Sequence, residues 1–129
     1  MRKTTQLMIW LLIAVLALTA CQPAAAPEAT AEPVEQFRVA VVMPSAVNDL
    51  AFSQSMYDAL NTIKTEMGAA NFDFVYSENM FVVDEAAAAI RDYASQGFNL
   101  VIAHGSQYGT SLQQIAPDFP ETSFAWGTS

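Results

Sequence analysis

The chain has 129 residues, 53% of them apolar, and carries 13 Asp and Glu against 5 Lys and Arg, a formal net charge of −8. With no cluster of basic residues, nucleic acid is excluded as a partner and phosphate-rich ligands are disfavoured. The length suits one domain with a hydrophobic core, and the single cysteine excludes a disulfide within the chain.

The N-terminus carries an address. Arg2 and Lys3 form a short positive region, and an apolar run follows from Leu7 to Ala20, broken only by Thr19. A spanning helix needs ~20 apolar residues, so residues 1–20 read as a secretory signal instead. Leu18-Thr19-Ala20-Cys21 resembles the lipobox of bacterial lipoproteins, whose thiol is lipidated and becomes the new N-terminus. That resemblance implies Cys21 as a palmitate-type lipidation site. Acyl chains worth ~0.8 kcal/mol per buried methylene would then hold the protein on the outer face of a bacterial cell membrane. Residues 21–36, rich in Pro, Ala, Glu and Thr without apolar periodicity, predict a disordered tether stiffened by three prolines. Once residues 1–20 are removed, Arg38, Lys64 and Arg91 face all thirteen acids.

Residues 37–129 predict alternating strands and helices. Phe37 to Met43 is β-branched and apolar, as a strand buried on both faces requires. From Ala51 to Gly68, Phe52, Met56, Ala59, Leu60, Ile63 and Met67 fall on one helical stripe. Asn71 to Tyr76 alternates as a second strand. Asp84 is placed to cap an alanine-rich helix running to about Gln96, with Gly97 as its stop. Asn99 to Ala103 predicts a third buried strand, Ser106 to Ala116 a third helix closed by Pro120, and Thr122 to Gly127 a fourth strand. The βαβαβαβ order predicts parallel strands in a Rossmann-like three-layer αβα sandwich. Neither GxGxxG nor GxxxxGK[ST] occurs, so no nucleotide cofactor is expected.

Ligands of such sheets bind beyond the carboxyl ends of the strands. Asn48-Asp49-Leu50-Ala51-Phe52-Ser53-Gln54 lies there, in the loop after the first strand and the first turn of the first helix. Two assignments stay open on the residues alone. Its polar groups face a cleft, or Asp49 simply caps the helix while Phe52 joins the core stripe. His104 and Gly105 end the third strand. A lone histidine has no second one with which to build a metal site, and a structural hydrogen bond is its commoner use. Trp126 is expected in the core.

Three stretches together resemble the basic membrane protein (BMP) family of lipoproteins. Asn48 to Leu60 is similar to that family's D-x-S-F-N-Q signature. Arg91 to Gly105 is similar to its Y-A-x-Q-G-[YF]-x-L-[IV]-[IV]-x-H-G segment, and Ile115 to Trp126 to its A-x-x-[FY]-P-[DE]-x-x-F element. The resemblance implies a type I periplasmic-binding fold, two α/β lobes closing on a ligand, of which this chain would be an incomplete N-terminal lobe. It also implies the role of substrate-binding component of an ABC importer for nucleosides, with a permease as partner and no catalysis. Carried across, Phe52 would stack on a purine, Asp49 would order the loop or bond the ligand, and Gln54, His104 and Gly105 match motif positions. Ala51 stands where Ser is usual and Ser53 where Asn is usual, and the shorter Ser53 leaves the base contact different.

Two rivals accompany this reading. A lipid-anchored sensor of the same fold would present bound ligand to a receptor rather than to a permease. A lipid-anchored α/β hydrolase would use Gly127-Thr128-Ser129 as the start of a G-x-S-x-G elbow.

Overall fold

The computed structural model describes residues 35–127. The expected signal, Cys21, most of the tether, Thr128 and Ser129 lie outside them. Four strands form one sheet: β1 (Phe37–Val42), β2 (Phe72–Ser77), β3 (Leu100–His104) and β4 (Ser123–Gly127). Helix α1 (Phe52–Met67) links β1 to β2, and α2 (Val83–Ser95) links β2 to β3. Between β3 and β4 the chain runs through a 3-10 turn at Ser106–Tyr108, α3 (Gly109–Ile115) and a second 3-10 turn at Ala116–Asp118. All pairings are parallel, in the spatial order β2-β1-β3-β4.

The pleat sorts β1 into two cores. Val39, Val41 and Met43 point to one side with Phe72 and meet Leu60 of α1. Ala40 and Val42 point to the other with Val101 and Ala103, against Ala86 and Ile90 of α2 and Leu112 and Ile115 of α3. The expected three-layer αβα sandwich is therefore present, with α1 on one face and α2 and α3 on the other.

Three local expectations need correction. The buried face of α1 is turned from the expected stripe: Ser53 and Leu60 are buried, Met56 is packed, and Ile63 and Met67 are exposed. Polar anchoring sets that rotation, as the site below shows. Helix α2 starts at Val83, which puts its cap position on Val82, two residues before Asp84, and no side chain caps it. Asp84 lies with Glu85 in the first turn, where negative charge complements the helix dipole. Trp126 is 47% exposed instead of in the core, because its indole N–H donates to the Gly105 carbonyl (2.9 Å) at the sheet's edge.

Candidate functional site

From β1 the chain crosses to β2 on one side and later to β3 on the other, so the β1/β3 gap is the sheet's switch point. That is where α/β folds place ligands. The loop from Pro44 to Ala51 leaves the carboxyl end of β1 beside it, and His104 ends β3 across from it.

Asp49 organises the loop. Its Oδ2 accepts from the Ser45 hydroxyl (2.5 Å) and the Ser53 N–H (3.1 Å), and its Oδ1 from the N–H groups of Ala51 (2.9 Å) and Gln54 (3.1 Å). Two of these are otherwise unpaired donors of the first turn of α1, so the carboxylate caps the helix from outside it. The Ser45 hydroxyl bond, helped by those backbone N–H groups and opposed by desolvation, holds the Asp49 carboxyl well below the usual carboxylate range.

Ser45 has one hydroxyl proton and gives it to Asp49, so the Ser53 hydroxyl donates to Ser45 Oγ (2.7 Å). Ser53 is wholly buried in this contact. In this conformation its hydroxyl is turned into the loop, not toward a ligand. Gln54 Oε1 accepts from Leu50 N–H (3.0 Å), and Asn48 is exposed at the loop's tip.

The loop after β2 joins this one. Glu78 accepts from the Val47 N–H (2.7 Å), Met80 N–H donates to the Met43 carbonyl, and Asn79 N–H to that of Ser45. Leu50 and Asn79 adopt left-handed backbone (φ 58° and 60°), unusual for residues with side chains. Leu50 is 89% exposed and Phe81 76%, so this edge presents apolar side chains on a hydrogen-bonded frame.

Phe52 and His104 bring the two sides of the switch point together. Their rings stack with centroids 3.8 Å apart and planes 12° from parallel, and His104 Nε2 lies 3.1 Å from the Phe52 carbonyl. Phe52 is half-buried and belongs to neither core cluster, which takes it out of the core stripe. Gly105 is buried, but close approach there is to protein: a Cβ would lie 2.7 Å from the Tyr108 ring. Tyr108 in turn donates to the Met80 carbonyl (2.7 Å), and burial pushes its phenol up to about 12. No group of metal ligands occurs among the described residues.

The edge thus consists of one flat ring with one face covered, an ordered polar loop and exposed apolar side chains. Residues 36–127, all of the α/β unit, match the Bmp family, described as ABC transporter substrate-binding protein PnrA-like. The chain belongs to the Bmp family. Among similar proteins, "Transcriptional activator protein med" of Bacillus subtilis (strain 168) is 29% identical over 87 residues, 67% of this chain and 26% of that protein. A solved ABC transporter solute-binding protein from Conexibacter woesei DSM 14684 superposes with a TM-score of 0.61 at 26% identity. That match covers 67% of this chain and 28% of the other. The chain therefore spans about a quarter of the length of the relatives it matches.

Proposed function

We propose that this chain forms one lobe of a substrate-binding protein of an ABC importer, anchored to the membrane through Cys21, that captures purine nucleosides or related small uncharged ligands. Membership of the Bmp family supports the substrate-binding role, and the placing of Phe52 supports the ligand class. A half-buried phenylalanine ring outside both cores, at the switch point and stacked on His104 by one face, is the platform this reading assigns to a planar ligand. Capture needs no chemistry: the ring and loop polar groups bind, a second lobe closes over them, and the closed form docks on a permease.

Calorimetric titration with adenosine tests this. The full-length protein is expected to bind, and Phe52→Ala to weaken binding about tenfold or more, the scale of one lost aromatic stack with its buried area. Unchanged affinity in Phe52→Ala would remove the stacking role. Tight adenosine binding by this 129-residue chain alone would overturn its assignment as half of a cleft. Cys21→Ser is expected to release the exported protein from the membrane fraction.

The sensor reading draws support from one observation, that a similar protein is named a transcriptional activator. Copurification with a permease would favour the importer, and with a signalling receptor the sensor. The hydrolase reading finds no support in the geometry, since His104 Nε2 is committed to a backbone carbonyl.

A further inference from the structure

His104 is the chain's only histidine and is 7% exposed. Its Nε2 faces the Phe52 carbonyl at 3.1 Å, and a carbonyl can only accept, so Nε2 carries the proton. In the neutral ring Nδ1 is then an acceptor. That Nδ1 is buried with no hydrogen-bond partner among the described residues. Beside it stands Gly127, the register partner of His104 across β3 and β4. A Cβ on Gly127 would lie 3.0 Å from Nδ1, so any side chain there would force the imidazole to move by a few tenths of an ångström.

Neither core cluster includes Phe52, so core packing does not explain how its ring is held. We propose that His104 is a positioning residue for Phe52. The imidazole, with a proton on Nε2, is wedged between Gly127 and the Phe52 ring, covers one face of that ring, and turns the other to a planar ligand. A bound ring then forms the third layer of a ligand–Phe52–His104 stack, and the fit of Gly127 sets the angle of all three. The proposal rests on the assignment of Phe52 as ligand platform and adds what holds that platform in place.

The single histidine is its own reporter. With ¹⁵N-labelled histidine, the chain at neutral pH is expected to show a protonated Nε2 and an unprotonated Nδ1, with nuclear Overhauser effects between the imidazole and the Phe52 ring. A proton on Nδ1, or the absence of those ring contacts, overturns the proposal. In full-length protein titrated with adenosine, His104→Ala is expected to weaken binding about tenfold, the weight of one lost stack. His104→Phe keeps a flat ring and is expected to restore most of that loss. Gly127→Ala is expected to cause a smaller loss together with displaced His104 resonances.

Equal affinity in wild type, His104→Ala and Gly127→Ala overturns the proposal, as does a loss that His104→Phe fails to restore in a folded protein. If wild type takes up no adenosine, the nucleoside assignment falls. The proposal is then decided by the tautomer and by whether Gly127→Ala disturbs the contacts between the rings.

Discussion

The two ends of the sheet divide shape from chemistry. At the amino ends of β3 and β4, a cleft of about 380 Å³ lies between the end of α2 and the segment before β4, walled by Phe98, Phe119 and Pro120 with Asp118 and Glu121 at its rim. At the carboxyl ends the recess by the β1 loop is shallower, about 280 Å³, lined by Leu50, Ala51, Gln54, Ser55 and Asp58. Yet that second end holds the carboxylate network, the ring stack, both left-handed residues and the most exposed large apolar side chains. The larger concavity thus comes from a helix end and a loop parting company, whereas the converging polar groups and left-handed backbone lie at the shallower end. On the proposed function, the carboxyl end is one wall of a site and acquires its depth from a second lobe.

Substitutions at the two ends should separate stability from binding. The largest effect is expected at the amino end: Phe98→Ala removes a buried ring packed in the α2 core and should cost about 3–5 kcal/mol by denaturant titration. Affinity per folded molecule should not change, and a loss of affinity would make the larger cleft a rival binding site. At the carboxyl end the balance reverses. Phe52→Ala should impair adenosine binding by more than it lowers stability, because the ring is half-buried outside both cores. A stability loss as large as that of Phe98→Ala would make Phe52 a core residue after all.

Acid should loosen the carboxyl end through Asp49. The Asp49 carboxyl lies below its ordinary value of ~3.9, so the unfolded chain takes up this proton before the folded one. Its contribution to stability is whole above about pH 4 and is lost as the pH falls through the folded value. Asp49→Asn should flatten that part of the pH–stability profile, and an unaltered acid limb would show that the carboxylate does not cap the helix. The smallest effect belongs to the Arg91–Asp118 ion pair (2.8 Å) near the amino-end cleft. With both side chains about half exposed, Arg91→Ala should cost ~0–1 kcal/mol, and less in high salt.

The same contrast explains what was legible in the sequence. Strands β1 and β3 announced themselves because burial on both faces leaves continuous runs such as Val39 to Met43, and the αβα order followed from the spacing. The rotation of α1 was not legible. Ser53 is buried by its hydroxyl bond to Ser45 and not by hydropathy, so an apolar stripe could not reveal it. Trp126 departs from the apolar pattern for a related reason: one indole bond to Gly105 keeps a large ring at the surface. Asp49 as a cap was one of two assignments the residues allowed, and its four bonds supply that role. The pairing of Phe52 with His104 spans 52 residues and two elements, and no local pattern encodes it.

The central place of β1 has a consequence for synthesis. Val39 pairs with Phe74 on one side and with Leu100 on the other, about sixty residues further along the chain. At ~5–20 residues per second, a ribosome needs several seconds to supply that second partner after β1 has emerged. Through that interval the first strand made is the one least able to finish folding. For a protein proposed to leave the cytoplasm before it works, this delay is useful. On that proposal, a sheet that cannot close until β3 has been made leaves β1 unpaired on one side while the chain is exported.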